Sequence, residues 1–325
     1  MRRRDLIAGL GGALAWPLVA RAQTNKPVIG FVNAASPKRY TRQLGGFLKG
    51  LGEQGFVEGR NVVIEYRWGE EHNDRLPAMV ADLIERKVAV IAATSAPAAI
   101  AARKATTTIP IVFETGLDPV EAGLVSSLDR PGGNVTGVTQ MNIGLTPKRF
   151  EFLHELLPKA KLVALMVNPT DGRLAKTTVD EAQDAAKHLG LEIRVFNVIS
   201  ADELDSVFAK VAEAHVGGLV ISGGAFFTAY SVRLAALAQR HAVPAIFQYR
   251  EFTAAGGLAS YGSDITESYR LAGVFCGHIL KGEKPADLPV QQATKVELYI
   301  NTKAAKALGL TLPITLLGRA DEVFE

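Results

Sequence analysis

Cysteine is nearly absent from this chain of 325 residues, which contains Cys276 alone. A single cysteine excludes an intramolecular disulfide and a metal site built from thiolates. It also leaves no cysteine near the amino terminus that could carry a lipid anchor. No apolar run approaches the roughly 20 residues that span a bilayer. We therefore expect no stable insertion into a membrane.

An excess of positive charge is also missing once the amino terminus is set apart. Residues 1–22 hold four of the 36 basic residues and one of the 33 acidic residues, which leaves 32 of each sign in the rest of the chain. A formally neutral protein lacks the basic surface that a nucleic-acid-binding protein needs. We therefore expect no nucleic-acid partner.

Catalytic and cofactor-binding motifs are missing too. The dinucleotide-binding pattern G-x-G-x-x-G occurs at Gly50–Gly55, but there it ends a predicted helix instead of following a strand. Walker, G-x-S-x-G and H-E-x-x-H motifs do not occur. The six histidines are scattered and show no metal-ligand spacing. We expect no catalytic residue, no metal ion and no cofactor.

Residues 1–22 have the pattern of a cleaved export signal. Arg2 to Arg4 precede a weakly apolar stretch, residues 6–19, and Ala20-Arg21-Ala22 forms a small-x-small cleavage site. The arginine pair resembles a twin-arginine signal, although the general secretory route stays open. A membrane anchor is the alternative, but about 14 residues are too few for a span, which needs roughly 20. We predict cleavage after Ala22 and a soluble periplasmic protein.

The rest of the chain alternates short β-branched runs with helical patterns, and the same order occurs twice. The strands expected in the first set are Val28–Val32, Val62–Tyr66, Val88–Ala92, Ile109–Phe113 and Val135–Thr139. Those in the second set are Leu162–Val167, Glu192–Val198, Gly218–Ile221, Pro244–Phe247 and Leu258–Tyr261. The helices expected are Tyr40–Gln54, Leu76–Arg86, Thr178–Leu189, Leu204–Ala214, Ser231–His241 and Ile265–Leu280. Alternating strands and helices indicate parallel sheets with right-handed crossovers.

This repeated order predicts an α/β fold with two Rossmann-like lobes joined by a hinge. We expect the amino-terminal lobe to contain residues 27–141 and 264–290. The carboxy-terminal lobe would contain residues 142–263 and 291–325. The last part of the chain, with a strand at Lys295–Ile300 and a helix at Thr302–Leu308, is too short to form a domain of its own. It is expected to complete the lobes by crossing between them.

Open parallel sheets bind ligands beyond the carboxyl ends of their strands, so two facing lobes should form one cleft. The candidate ligand-binding residues of the first lobe follow its strands: Asn33, Ser36, Thr94, Ser95, Ala96, Thr115, Gly116 and Asp118. Several resemble helix starts, whose free N–H groups and partial positive charge attract anions. We expect a carboxylate at residues 94–96, with Asp118 as the acidic candidate for an ammonium group. The alternative is that these residues only cap helices, as Asp118 would with Glu121.

The second lobe supplies more aromatic residues at its strand ends. Its candidates are Asn168, Ser222, Gly223, Phe226, Tyr249 and Tyr261. An aromatic wall opposite an anion site would suit a small zwitterion with an apolar side chain. Packing in the core is the alternative role for the phenylalanines.

Five segments carry a family resemblance over nearly all of the chain after residue 22. They are Pro27–Phe31, Gly50–Asn61, Ile109–Phe113, Asp118–Val125 and Arg130–Gly137. In them the chain resembles ABC-transporter substrate-binding proteins of the tryptophan/tyrosine-binding type. The resemblance implies a type I periplasmic binding-protein fold, a small-molecule ligand captured between closing lobes, and an inner-membrane ABC permease as partner.

Two other functions fit the same sequence features. A periplasmic sensor subunit for a membrane receptor or kinase would share all of them. An exported α/β enzyme would need a nucleophile and a base in the cleft, and no histidine follows any of the predicted strands directly.

Overall fold

The computed structural model describes residues 26–140, 142–293 and 295–325. The predicted export signal lies outside these residues. Thirteen strands are described: β1 Val28–Asn33, β2 Val63–Trp68, β3 Val90–Ala93, β4 Ile111–Thr115, β5 Val135–Thr139, β6 Leu162–Val167, β7 Glu192–Asn197, β8 Gly218–Ile221, β9 Ala245–Phe247, β10 Ala259–Ser263, β11 Gln291–Gln292, β12 Val296–Asn301 and β13 Glu322–Phe324. Twelve α-helices are described: α1 Thr41–Glu53, α2 Leu76–Glu85, α3 Ala96–Ala105, α4 Thr146–Leu156, α5 Arg173–Leu189, α6 Leu204–Glu213, α7 Ala225–Ala229, α8 Ser231–Arg240, α9 Arg250–Ala254, α10 Ile265–Leu280, α11 Thr302–Ala307 and α12 Ile314–Leu317.

The strands form two sheets, and each sheet is the centre of one lobe. The first sheet has the order β11-β5-β4-β3-β1-β2 and is parallel throughout. The second has the order β13-β12-β10-β9-β8-β6-β7, and its one antiparallel pair joins β10 to β12. Helices cover both sheets, which is why central strands such as β3 and β4 are buried along their whole length. The expected α/β fold with two Rossmann-like lobes is confirmed.

The chain crosses between the lobes after β5, after β10 and after β11. Gln291 and Gln292 pair with Val138 and Thr139 in the first sheet. The sequence interpretation placed residue 291 onward in the second lobe. The last crossing instead falls after Gln292, because this two-residue strand extends the edge of the first sheet.

Helices α1 and α10 pack unusually close together in the first lobe, and glycine allows it. A Cβ atom on Gly50 would lie 1.8 Å from the carbonyl oxygen of Arg270, and one on Gly273 would lie 2.0 Å from that of Phe47. Gly50 belongs to the G-x-G-x-x-G pattern, which here ends a helix as predicted. Helix packing therefore accounts for its first glycine. Among the described residues, no helix is both long and apolar enough to cross a membrane.

Candidate functional site

A cavity lies between the lobes at the carboxyl ends of their central strands. It encloses about 540 Å³, counted out to its open mouth. The structure brings together half of the predicted site residues around it, from both lobes: Thr94, Ser95, Ala96, Thr115, Gly116, Gly223 and Tyr249. The other predicted residues do not line this cavity: Asn33, Ser36, Asp118, Asn168, Ser222, Phe226 and Tyr261.

The start of helix α3 forms one wall of the cavity. Ser95 precedes the helix in an extended conformation, and its side chain makes no capping hydrogen bond to the helix. The Ala99 N–H donates to the Ser95 carbonyl oxygen at 2.9 Å, while Pro97 has no N–H to donate. The N–H groups of Ala96 and Ala98 have no acceptor within the helix. This wall therefore has the polarity that attracts an anion.

Asn33 and Ser36 support this wall from behind. The Asn33 side chain donates to the Thr94 carbonyl oxygen at 2.6 Å and to the Tyr269 hydroxyl at 2.8 Å. Its oxygen accepts from the Ala35 N–H at 2.7 Å. The Ser36 hydroxyl is buried and accepts from the Arg39 guanidinium at 3.3 Å. Both residues shape the loops around the cavity instead of facing it.

Asp118 lies beside a neighbouring cavity between the lobes. One of its carboxyl oxygens accepts from the N–H groups of Val120 and Glu121, at 2.8 and 3.1 Å. These bonds hold a turn at residues 119–123, and no described helix begins there for Asp118 to cap. Glu121 and Glu181 also line that neighbouring cavity.

Four predicted residues of the second lobe do not line the cavity and instead contact other parts of the protein. The Asn168 side chain accepts from the Thr170 N–H at 3.0 Å, and the Ser222 hydroxyl donates to the Gly223 carbonyl at 3.3 Å. Phe226 is buried against Phe227, with ring centroids 5.1 Å apart, and Tyr261 packs edge-on against Phe152 at 4.7 Å. For Phe226 the alternative role, packing in the core, matches the structure.

Arg149 is a charged residue of the cavity that the sequence interpretation missed. It lies in α4, lines the cavity, and is only 2% exposed. Its Nε donates to the Tyr261 carbonyl at 2.8 Å, whereas its buried Nη2 has no hydrogen-bond partner among the residues that the structure describes. Burial lowers the pKa of the guanidinium to about 10.

Glu114 is the second charged residue that was missed. It lies in β4, faces the same cavity, and is 4% exposed. One of its carboxyl oxygens accepts from the side-chain amide of Gln140. Burial raises the pKa of this carboxyl to about 8. An acidic residue directly after the apolar run Ile111–Phe113 is the signal that could have identified it.

Three tyrosine rings complete the walls, and each hydroxyl already donates a hydrogen bond within the protein. The Tyr269 hydroxyl donates to the Thr94 carbonyl at 2.7 Å, and that of Tyr249 donates to the Gln140 side-chain oxygen at 2.8 Å. The Tyr40 hydroxyl reaches the Ala225 carbonyl at 3.4 Å, which links the two lobes. What the rings offer to a ligand is mainly their apolar surface. Within the described residues, no group of three or more histidine, cysteine, aspartate or glutamate side chains could hold a metal ion.

Residues 28–324 match the family model described as ABC transporter substrate binding protein. The chain belongs to this family. Its members are binding proteins rather than enzymes, and they work outside the cytoplasmic membrane. The function of a substrate-binding protein, expected from the sequence, is confirmed at this level, and the cavity between the lobes is its candidate ligand site.

Three relatives of this substrate-binding protein are informative. A tyrosine-binding protein from Clostridioides difficile (strain R20291) is 29% identical over 266 residues, which is 82% of this chain and 76% of that protein. An ABC domain from Streptococcus pneumoniae, solved in complex with L-Trp, is 27% identical with a TM-score of 0.81 and covers 92% of this chain and 100% of its own. The ligand-free, open structure of a substrate-binding protein with adhesive properties from Clostridium difficile is 25% identical with a TM-score of 0.61, over 92% and 99% of the two chains.

Proposed function

We propose that this protein is the periplasmic solute-binding component of an ABC importer and that it delivers an amino acid with an aromatic or other apolar side chain to an inner-membrane permease. The ligand lies between the two lobes, its carboxylate meets Arg149, and its side chain packs among the tyrosine rings. The relatives that bind tyrosine and L-Trp support this ligand class.

The proposal depends mainly on one observation, which is that Arg149 is buried without a salt bridge to any described residue. A buried cation is strongly unfavourable unless an anion accompanies it. Among the described residues Arg149 makes no salt bridge: Glu181 acts on it only through longer-range electrostatics, and its Nη2 has no hydrogen-bond partner. A ligand carboxylate would supply the missing charge and the missing acceptor together. The α3 start offers further donors in the same cavity.

The arrangement of the lobes supports capture between them. At nearly equal identity, the chain has a TM-score of 0.81 with the L-Trp complex and of 0.61 with the open, ligand-free structure. This difference supports an arrangement of the lobes nearer to that of the ligand-bound relative. In this arrangement the cavity is lined from both lobes by Tyr40, Tyr249 and Tyr269, together with Leu174 and Ile265, so that a ligand would be in contact with both lobes at once.

The replacement Arg149→Met tests this proposal. It removes the cation and keeps a long apolar side chain, so L-tryptophan, L-tyrosine and L-phenylalanine should bind about 30-fold or more weakly, as when one partner of a buried charge pair is lost. The ligand-free variant should unfold at the same temperature as the wild type or a higher one, because it no longer buries a lone charge. Calorimetric titration and thermal unfolding measure the two effects.

Arg240→Met is the matched control, since Arg240 lies on the surface in a salt bridge with Asp205. It should leave affinity unchanged. An Arg149→Met protein that folds and binds these amino acids as tightly as the wild type would disprove the assignment of the carboxylate.

A further inference from the structure

We infer that Glu114 selects for ligands that carry an ammonium group, so that the protein takes α-amino acids in preference to the corresponding plain carboxylic acids. This inference rests on the proposed function, because it requires a carboxylate-bearing ligand in the central cavity. It concerns the other end of that ligand.

The ionisable groups that line the cavity match a zwitterion. Its lining contains one cation, Arg149, and one acidic residue, Glu114. The two side chains form no salt bridge with each other, and Glu114 forms none with any other described residue. Each is therefore available for an opposite charge brought by the ligand. An α-amino acid carries both charges and is neutral overall, so one ligand could satisfy both residues.

A fixed hydrogen-bond network holds the Glu114 carboxyl in place. The Gln140 side-chain oxygen accepts from the Tyr249 hydroxyl at 2.8 Å and from the Asn142 amide. These two bonds orient the Gln140 amide group so that it donates to Glu114. The Asn142 side-chain oxygen accepts in turn from the Ser263 N–H at 3.2 Å. The carboxyl therefore has a defined position before ligand enters, which lowers the entropic cost of binding.

The chemistry of the cavity favours an ammonium group over other cations. A divalent metal ion needs several oxygen ligands, usually including more than one carboxylate, and Glu114 has no acidic neighbour among the lining residues. The buried carboxyl, with its pKa near 8, is largely protonated at neutral pH while the site is empty. An ammonium group at hydrogen-bond distance favours the ionised form and would form a charge-assisted hydrogen bond with it.

The test compares amino acids with their deaminated analogues in the wild-type protein and in Glu114→Gln. The pairs are L-tryptophan with 3-indolepropionate and L-phenylalanine with 3-phenylpropionate, each titrated by calorimetry. In the wild type the amino acid should bind at least about 30-fold more tightly, the scale of a charge-assisted hydrogen bond. Glu114→Gln keeps the shape and the acceptor for Gln140. It should lose about that factor for the amino acid and little for the analogue.

Glu121→Gln is the control, since it removes an exposed acid beside the neighbouring cavity; it should keep both affinities. Equal wild-type affinity for amino acid and analogue would overturn the inference even if Glu114→Gln fails to fold, and so would equal losses for both ligands in the variant. If Asp118→Asn loses this selectivity and Glu114→Gln keeps it, Asp118 and not Glu114 is the partner of the ammonium group. Binding of both analogues without selectivity would leave the proposed carboxylate site standing, whereas binding of none of these compounds would remove both proposals.

Discussion

Buried carboxyl groups give this protein a specific dependence of stability on pH. Burial raises the pKa of Glu114 from its ordinary 4.5 to about 8, and that of Asp171 from 3.8 to about 7. Between these values the folded protein keeps protons that the unfolded chain has released. Each group therefore lowers the free energy of unfolding progressively as pH rises towards its folded-state pKa, and no further above it.

We predict that Glu114→Gln gains stability relative to the ligand-free wild type as pH rises from 5 to 8. The variant has no proton to lose in that window, so the difference in unfolding temperature should widen up to about pH 8 and then stay constant. Asp171→Asn should show the same trend but level off near pH 7. Calorimetric unfolding between pH 5 and 9 measures both. A constant difference between Glu114→Gln and the wild type across this range would show that the folded-state pKa is not raised.

At the same scale, sequence reasoning found the backbone donors of the site and missed its charges. Residues 94–96 could be predicted because they directly follow a strand and precede a proline. Asn33 also ends a strand, but its side chain already makes hydrogen bonds to the backbone of Thr94 and Ala35. Arg149 lies within a helix, and only the packing of α4 on the second lobe buries it. Burial of a charge depends on tertiary structure, which local patterns do not contain.

At the scale of elements, the close contact of α1 with α10 fixes how the carboxy-terminal part of the chain returns to the first lobe. α10 follows the second crossing between the lobes, and Asp264 caps it by accepting from the Thr266 N–H at 2.8 Å. The helix then packs on α1 through the glycines described above. This contact anchors one side of the hinge.

We predict that Gly50→Ala destabilises the protein by about 1–3 kcal/mol, the usual cost of overpacking. The added methyl group would lie 1.8 Å from the Arg270 carbonyl oxygen, so the two helices must move apart. Gly45→Ala is the matched control on the exposed face of α1, with nothing within 4 Å of the new Cβ. It should stabilise by about 0.5–1 kcal/mol through helix propensity. Urea unfolding of both variants measures their changes in the free energy of unfolding. Equal changes would contradict the close packing of α1 against α10.

Most of the long strands and helices could be predicted from the periodicity of their apolar residues. Most of the elements that were not predicted are very short. The edge strands β11 and β13 have two and three residues, and the helices α7 and α9 have five each, all too short for a period to be visible. α4 is longer and carries Pro147 in its first turn, but the polar Thr146 and the charged Arg149 lie on its buried face and weaken its apolar period.

At the scale of the whole molecule, several contacts join the lobes around the cavity. The Asn73 side chain donates to the Thr170 carbonyl at 3.1 Å, and the Arg42 guanidinium donates to the Glu251 carboxyl at 3.1 Å. Arg39 lies over the Tyr230 ring at 4.1 Å from its centre. Partly exposed polar contacts of this kind are individually weak. They can hold a closed form when a ligand adds its own contacts and still separate when it leaves.

Capture of an amino acid between closing lobes is the central claim, and small-angle scattering tests it most directly. The protein, stripped of ligand, should open at the hinge and lose radius of gyration on titration with the L-amino acid that binds most tightly. The change should reach its midpoint at the dissociation constant found by calorimetry. A scattering curve that stays the same from zero to saturating amino acid would contradict closure around the ligand.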